Sequence, residues 1–386
     1  MSKLDELIKT LCPDGVECTT IEKSCEVKTG KGITKKDSSN DGSYPIISGG
    51  IEPMGYYHET NRPKNTVTVS RVGANSGFVN YITEDFYLND KCFSVIPIGC
   101  YKESINTKFL YQYLKSVEKD ITALQSEGGV PTINTTKVGS ISIPVPPMEV
   151  QCEIVRILDN FTELTAELTA ELTARKKQYE YYRDELLAFD ENDNKVKLMT
   201  LGDIGKVSMC KRIMKAETSS TGDVPFYKIG TFGKEPDAYI SYDKYREYKS
   251  KFSYPNKGDI LISASGTIGR TVVYNGEPAY YQDSNIVWLA HDESIVLNKY
   301  LYYYYQLQPW NVATGGTIAR LYNDNIAKAK IFVPPLAEQE RIVSILDRFD
   351  ALCNDISIGL PAEIEARKKQ YEYYRDKLLT FKEKTA

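Results

Sequence analysis

The stretch Ala174-Arg-Lys-Lys-Gln-Tyr-Glu-Tyr-Tyr-Arg-Asp184 recurs without a change at 366–376. A second repeated motif precedes each copy: Val-Pro-Pro, then Gln, Ile-Val, Ile-Leu-Asp and Phe at the same spacings, starting at Val145 and again at Val333. The two motifs lie 188 residues apart (145 to 333), whereas the identical blocks lie 192 apart (174 to 366). The chain therefore contains one long unit twice, and four residues have entered the second copy between the two motifs.

The first Val-Pro-Pro motif is followed by a pattern that is typical of a long helix. Mostly apolar or aromatic residues step alternately by four and three, which is the spacing of a coiled-coil seam. The seam consists of Ile154, Leu158, Phe161, Thr165, Leu168, Leu172, Arg175, Tyr179, Tyr182, Leu186 and Phe189. Its middle is a tandem Thr-Ala-Glu-Leu repeat at 165–172, and a helix over about 150–189 would be roughly 60 Å long.

The second copy starts with the same seam, but the alternating four-three spacing is then interrupted. Its four extra residues form a stutter in the heptad pattern, which locally unwinds a coiled coil. Gly359 and Pro361 stand beside the stutter, and proline interrupts a helix. We therefore predict a break or kink near residues 358–362, after which the seam resumes at Tyr371, Tyr374 and Leu378.

The segments before the two helices indicate a repeated globular domain. Blocks such as 66–73 and 259–266 match, and both alternate β-branched residues with Gly, Asn and Asp turns, which is typical of short strands. We therefore predict an α/β (α+β) fold, in which two pseudo-repeated globular domains are separated by two long helices that form an antiparallel coiled coil. The predicted parts are a first domain at 1–147, a first long helix at 148–190, a second domain at 191–335 and a second long helix at 336–386.

The composition of the 386 residues argues against several classes of protein. With 48 basic and 52 acidic residues, the net charge of −4 does not suit a protein that coats polyanions through bulk charge. Only two histidines are present and the eight cysteines form no Cys-x-x-Cys pair, so we expect no metal site and reduced thiols. No apolar run of about 18 residues and no apolar signal core occur, which predicts a soluble, cytoplasmic protein with no membrane partner.

Motifs of nucleotide hydrolysis and DNA methylation are also missing. Gly205-Lys206 is followed by Val207, so it does not match a phosphate-binding Gly-x-x-x-x-Gly-Lys-Ser/Thr loop. The Val-Pro-Pro segments continue with Met148 and Leu336, unlike an Asp/Asn-Pro-Pro-Tyr/Phe adenine-methylase box. We interpret them as strand-to-helix junctions, because proline is tolerated in the first turn of a helix. A non-catalytic protein is expected.

The repeated motifs together resemble the specificity (DNA-recognition) subunit of type I restriction-modification systems. The resemblance covers nearly the whole chain, and the Thr-Ala-Glu-Leu tandem resembles the branch in which the number of tetrapeptides sets the distance between two DNA half-sites. It implies that each globular domain is a target-recognition domain, which binds one half of a bipartite double-stranded DNA target. The helices would then act as a spacer and as a docking surface for partner subunits.

The same resemblance implies a division of labour among subunits. Two methylation subunits would bind this chain, and restriction subunits would join them in the full complex. S-adenosylmethionine, ATP and Mg are expected on those partners, and no cofactor is expected on this chain.

Candidate DNA contacts are polar or basic residues in the turn-rich parts of each domain. Arg and Lys can bridge guanine O6 and N7, while Asn and Gln can pair with adenine; the alternative for each is a loop cap or a surface charge. In the first domain they are Lys31, Lys35, Lys36, Arg71, Asn75, Asn89, Lys91, Thr132 and Asn134. In the second they are Lys211, Arg212, Lys228, Arg270, Gln282, Asn285, Arg320 and Asn323. Candidate spacer and subunit-interface residues are Leu168, Leu172, Tyr179, Tyr182, Leu186, Tyr371, Tyr374 and Leu378.

Two other classes of function compete with DNA recognition. The chain could be a coiled-coil scaffold or structural protein whose globular domains bind protein, although divergent loops on duplicated domains disfavour that hypothesis. It could also be an autonomous DNA-modifying enzyme, which the missing catalytic motifs disfavour.

Overall fold

The computed structural model describes residues 3–39, 41–126, 129–190, 193–312 and 320–384. The chain divides into two compact units. Unit 1 comprises residues 1–169 and 363–386, and unit 2 comprises residues 170–362. Among the described residues, no helix is long and apolar enough to cross a membrane.

The first half of the chain alternates short strands with short helices and then enters one long helix. Its elements are α1 (Lys3–Leu11), β1 (Cys18–Thr20), α2 (Ile21–Ser24), β2 (Cys25–Thr29), β3 (Tyr44–Ile47), β4 (Tyr56–Tyr57), β5 (Thr66–Ser70), β6 (Val79–Ile82), β7 (Tyr87–Leu88), β8 (Cys92–Pro97), α3 (Tyr101–Ser104), α4 (Thr107–Ser116), α5 (Glu118–Ala123), α6 (Thr135–Gly139), β9 (Ser142–Pro144) and α7 (Met148–Leu187).

The second half repeats most of this order, with no counterparts of α1, α3 and α5 among its described residues. Its elements are β10 (Lys197–Thr200), α8 (Leu201–Ile204), β11 (Lys206–Ser208), β12 (Val224–Tyr227), β13 (Tyr239–Ile240), α9 (Tyr242–Lys251), β14 (Ile260–Ser263), β15 (Thr271–Val273), β16 (Tyr280–Tyr281), β17 (Ile286–Ala290), α10 (Asn298–Tyr305), α11 (Asn323–Ala327), β18 (Lys330–Val333), α12 (Leu336–Asn354) and α13 (Leu360–Leu378). Short 3-10 turns lie at Lys35–Asp37 and Lys215–Glu217.

The two globular parts have the same sheet topology. In unit 1 the four-stranded sheet has the order β2-β8-β5-β6, and in unit 2 the order is β11-β17-β14-β15, which is equivalent. A second, three-stranded sheet also repeats, with β3 between β4 and β7 in unit 1 and β12 between β13 and β16 in unit 2. One difference is α9, since residues 58–65 at the equivalent place in unit 1 form no helix. The predicted repeat of a mixed α/β domain is confirmed.

The cores are built by the inward faces of these strands. Val67, Val69 and Val95 are fully buried in unit 1, where they pack with Leu110 and Leu114 of α4. In unit 2 the equivalent core is richer in aromatic side chains, because α10 contributes Tyr300, Tyr303, Tyr304 and Tyr305. The central strands β5 and β14 are buried at every position, and α4 and α10 pack against them.

The long helix α7 runs unbroken over 40 residues, through both tetrapeptides. Its first part lies in unit 1, where Val150, Ile154 and Leu158 are buried together with Leu379. Phe161 and Tyr374 also stack there, with ring centroids 5.4 Å apart. The predicted long helix and its apolar seam are confirmed.

The second part of α7 belongs to unit 2 and packs against α12. Tyr182 stacks on Phe349 at 5.7 Å, while Cys353, further along α12, lies near the charges of Lys176 and Arg175. From one contact to the other, the residue number decreases along α7 and increases along α12. The two helices are therefore antiparallel within unit 2.

A break at residues 355–359 separates α12 from α13 and overlaps the predicted range of 358–362. The helix ends at Asn354 and resumes at Leu360. A Cβ atom on Gly359 would lie 2.4 Å from the carbonyl oxygen of Ala351, so this close turn requires glycine. Pro361 then stands in the first turn of α13, where a missing N–H costs no helical hydrogen bond.

Candidate DNA interface

A cleft of about 680 Å³ in unit 2 brings together side chains that lie far apart in the sequence. Five of the predicted DNA-binding residues line it: Arg212, Lys228, Gln282, Asn285 and Arg320. They come from loops at the ends of different strands, because β11, β12, β16 and β17 meet at this edge of the two sheets. Lys215, in the 3-10 turn, also lines the cleft and was not predicted.

The charge of the cleft is positive. Its lining contains four basic side chains and two acidic ones, Asp237 and Asp283. Arg212 Nε lies 2.9 Å from Asp283 Oδ2, and Lys228 Nζ lies 2.8 Å from Asp237. Arg320 has no carboxylate within ion-pair distance in the described part of the chain, and instead its Nη2 donates to the carbonyl oxygen of Ser284 at 3.1 Å. This balance suits an anionic ligand such as a DNA backbone.

The two amide side chains of the cleft are oriented by the protein. The backbone N–H of Ile229 donates to Gln282 Oε1 at 3.0 Å, and the Ser265 hydroxyl donates to Asn285 Oδ1 at 2.8 Å. Between them, Ser284 has a φ of 59°, a left-handed conformation that is uncommon outside glycine. The turn 282–285 therefore holds its side chains in a defined orientation.

The other predicted residues of the second domain lie outside this cleft. The ammonium of Lys211 lies over the Phe252 ring at 5.3 Å, and Arg270 Nη1 donates to the Phe232 carbonyl oxygen at 3.0 Å. Asn323 is the first residue of α11.

In unit 1, several predicted residues meet around the turn between β7 and β8. Arg71 is the centre of this group, because its backbone N–H donates to the carbonyl of Lys91 at 2.7 Å and its Nη1 to that of Asp90 at 3.3 Å. Lys31 lies on the other side of the turn, where its N–H donates to the carbonyl of Leu88 at 3.0 Å.

Two further candidates lie beside this group. Asn75 Nδ2 donates to the carbonyl oxygen of Gly49 at 3.4 Å. Thr132 forms a β-bridge with Val72, and its hydroxyl bonds that of Ser126 at 2.7 Å.

The two sites occupy equivalent places in the repeated domain. The bond from Arg71 N–H to the Lys91 carbonyl matches the bond from Ala264 N–H to the Asn285 carbonyl, also 2.7 Å. The β-bridge of Thr132 matches the bridge between Arg320 and Ser265. The structure therefore brings part of each set of candidates to the equivalent edge of each domain, with different side chains in the two domains.

The remaining candidates of the first domain have more local roles. Lys35 and Lys36 are exposed in a 3-10 turn. Asn134 caps α6, since its side chain accepts the backbone N–H of Lys137. Asn89 is only 1% exposed, and its amide donates to the Ile33 carbonyl at 2.8 Å, so it holds the β7–β8 turn in place.

The spacer candidates lie along the seams of the long helices. Tyr179 is 6% exposed, and its hydroxyl donates to Gln306 at 2.8 Å. Its counterpart Tyr371 donates to Gln112 at 2.7 Å, and burial raises the pKa of Tyr371 to about 12. Tyr182 is 40% exposed, beside Phe349. The half-buried members are Leu168, Leu172, Leu186, Tyr371, Tyr374 and Leu378.

Comparison with known proteins identifies the family. The model of the type I restriction modification DNA specificity domain matches residues 13–175 and again 193–366. A type I restriction enzyme specificity subunit of Haemophilus influenzae is 57% identical over 288 residues, which cover 72% of this chain and 74% of that protein. The EcoR124I/EcoR124II specificity subunit of Escherichia coli is 31% identical over 99% of this chain and 98% of its own length.

Solved structures share the fold over almost the whole chain. The type I restriction-modification S subunit of M. genitalium superimposes with a TM-score of 0.57 at 19% identity, covering 95% of this chain and 96% of that one. A chain from a structural study of complex assembly and conformational transition of the type I restriction-modification system gives 0.59 at 18% identity, covering 95% and 98%. Specificity subunits are the DNA-recognising, non-catalytic components of these systems. With two copies of the specificity domain and relatives that align from end to end, this chain belongs to the type I restriction-modification DNA specificity family.

Proposed function

We propose that this chain reads a bipartite DNA target, with one half-site for each target-recognition domain, and recruits methylation subunits and, through them, restriction subunits. The proposed division is a first recognition domain at 1–147, a spacer helix at 148–190, a second recognition domain at 191–335 and a second helical segment at 336–386. The observation that carries the proposal is the pair of equivalent edges. The same strand order presents Lys91 and Thr132 in the first domain, but Asn285 and Arg320 in the second.

The proposed DNA contacts centre on those edges. In the second domain they are the cleft residues Arg212, Lys228, Gln282, Asn285 and Arg320. In the first they are Lys31, Arg71, Asn75, Lys91 and Thr132. Lys35, Lys36, Asn134, Lys211, Arg270 and Asn323 remain candidates for contacts with the phosphate backbone, whereas Asn89 supports its turn from inside. Phosphate contacts would position the duplex and base contacts would specify the sequence.

The identical helical blocks support two copies of one partner. Packing explains why Tyr179 and Tyr371 are the same residue, since both are held in a domain by a glutamine. It does not explain identity at exposed positions, yet Tyr181 is 60% exposed and Tyr373 is 62% exposed. Exposed tyrosines are favoured at protein interfaces. We therefore assign this outward face of both blocks to two methylation subunits, which would carry S-adenosylmethionine, while ATP and Mg belong to the restriction reaction on partner subunits.

The test is selection from a random double-stranded DNA library by this chain assembled with its methylation subunits. The expected result is enrichment of two short half-sites separated by a constant gap. A complex that retains no such motif would contradict the proposal and favour a scaffold. Transfer of labelled methyl groups by the chain alone would instead indicate an autonomous enzyme.

A further inference from the structure

The surroundings of Gln282 determine which way its side-chain amide faces, that is, where its oxygen and its nitrogen lie. A backbone N–H can only donate a hydrogen bond, so the atom that faces Ile229 N–H must be the oxygen of the side chain, Oε1. The Nε2 group therefore lies on the side of the amide that does not face the Ile229 N–H. It has no hydrogen-bond partner among the described residues, and Gln282 lines the cleft. This side chain consequently offers the cleft a donor.

Asn285 and Arg320 also have donor groups without described hydrogen-bond partners. The oxygen of Asn285 is occupied by the Ser265 hydroxyl at 2.8 Å, and its Nδ2 has no partner in the ranges that the structure describes. Arg320 Nη2 donates to the Ser284 carbonyl oxygen, and Nη1 has no hydrogen-bond partner among the described residues. A guanidinium cannot accept a hydrogen bond. Three neighbouring side chains in the lining of the cleft thus present donors.

The turn 282–285, which carries Gln282 and Asn285, is held in place. Ser284 has a left-handed φ of 59°, and its carbonyl oxygen accepts the bond from Arg320. Asp283 is paired with Arg212 at 2.9 Å. Such restraints preserve an uncommon backbone conformation, and strained residues of this kind concentrate at ligand-binding sites. The donors are therefore positioned before DNA arrives.

The bases differ in how many hydrogen bonds they can accept from a row of donors. In the major groove, guanine presents two acceptors, N7 and O6, whereas adenine and cytosine present amino donors at N6 and N4. A glutamine that reads adenine must offer its oxygen and its nitrogen together, and the oxygen of Gln282 already faces Ile229. We infer that Gln282, Asn285 and Arg320 form a donor edge that selects guanine in the half-site bound by the second domain. The inference rests on the proposed function and differs from the adenine pairing that the residue types alone suggest.

The described residues of the first domain do not form this edge. Asn89 takes the place of Gln282, since each donates its backbone N–H at 2.9 Å to the central strand of the small sheet, at Ile47 and Tyr227 respectively. The Asn89 amide is buried, however, and donates to Ile33. The guanine preference should accordingly belong to one half-site only.

The test is the variant Gln282→Glu in the complex with methylation subunits. A carboxylate oxygen can still accept from Ile229 N–H, so the local fold is kept, while the Nε2 donor is replaced by an acceptor. Selection from the random library should show guanine at a position of one wild-type half-site. The variant should exchange that guanine for cytosine or adenine and bind the original target at least about tenfold more weakly, with the other half-site and the gap unchanged.

Asn275→Asp is the matched control. It makes the same amide-to-carboxylate change in an exposed turn of the same domain, where Oδ1 accepts the backbone N–H of Glu277 at 3.0 Å, and it should leave the motif unchanged. Arg320→Lys is a second variant, which keeps the charge but loses the planar fork, and it should weaken the guanine preference while keeping the salt dependence of binding. Circular dichroism melting verifies that each variant is folded.

Unchanged base preferences in both Gln282→Glu and Arg320→Lys would overturn the inference, as would changes spread over both half-sites. A wild-type complex that enriches no bipartite motif would instead overturn the proposed function.

Discussion

Gln151 Nε2 donates a hydrogen bond to the carbonyl oxygen of Pro146 at 2.7 Å, inside a fully buried environment. The same amide donates to the Ser104 carbonyl and accepts the backbone N–H of Asn106. One side chain thus ties the start of α7 to the first domain. Gln339 makes the equivalent bonds to Pro334, Ile295 and Leu297 in unit 2, so the repeated glutamine is an anchor between helix and domain.

Replacing either anchor with leucine should destabilise the chain. Gln151→Leu removes the buried partner of the Pro146 carbonyl and the part-buried partners of the Ser104 carbonyl and the Asn106 N–H, which should cost about 2–4 kcal/mol of unfolding free energy. Urea denaturation measures the change. Gln178→Leu is the control, because among the described residues Gln178 bonds only the Arg175 side chain of the same helix, and it should cost less than about 0.5 kcal/mol. Equal losses in both variants would refute the anchor.

A buried carboxylate should make the stability of unit 1 depend on acid pH. Hydrogen bonds from Arg156 and then Lys3 lower the pKa of Glu153 from 4.5 to about 2. A group with a lowered folded pKa stabilises the protein above its unfolded value, and this stabilisation is lost as pH falls from about 4.5 towards 2. The difference in unfolding free energy between wild type and Glu153→Gln should be largest near pH 7 and shrink across that window.

Urea titrations at pH 7, 4.5 and 3 measure this difference. Glu149→Gln is the control, because Glu149 is exposed on the same helix, and its effect should stay small at each pH. A constant difference between wild type and Glu153→Gln from pH 7 to pH 3 would show that the carboxylate charge is not the cause.

Lengthening α7 should change the gap between half-sites. One Thr-Ala-Glu-Leu inserted after Leu172 continues the helix, adding about 6 Å and a rotation of about 40°. Both half-sites should be retained with a gap longer by one or two base pairs, as read by library selection. The same four residues inserted after Asn194, beyond the helix, should leave the gap as it was. An unchanged gap in the helix variant, or altered half-sites, would refute the spacer.

The exposed tyrosines of the repeated blocks should each serve one partner copy. Tyr181→Ser and Tyr373→Ser should each reduce the number of bound methylation subunits from two towards one, and the double variant should bind neither. Native mass spectrometry gives the stoichiometry, and thermal melting should be unchanged because both side chains are exposed. Tyr56→Ser, at a 45% exposed tyrosine on β4, is the control. Two subunits on the double variant would contradict this docking face.

The sequence alone was sufficient to predict those elements that depend on the spacing of residues along the chain. The four-three steps from Ile154 to Phe189 predict a long helix because side chains at those intervals fall on one face, and α7 has this form. Gly359 and Pro361 likewise predict an interruption near residues 358–362, because they act on their own backbone, and the helix is interrupted at 355–359. The repeated glutamines were visible as a pattern, but their hydrogen bonds were not.

Tertiary structure decided what the candidate site contains. Arg212 and Arg320 are distant in sequence and line one cleft only because β11, β14 and β17 pair in one sheet. Asn89 and Gln282 occupy equivalent positions, yet one amide is buried on Ile33 and the other lines a cleft. The residue types alone predict both as DNA contacts, because residue type determines which hydrogen bonds a side chain can make. Packing determines which of those bonds are already occupied, and so which remain available to a ligand.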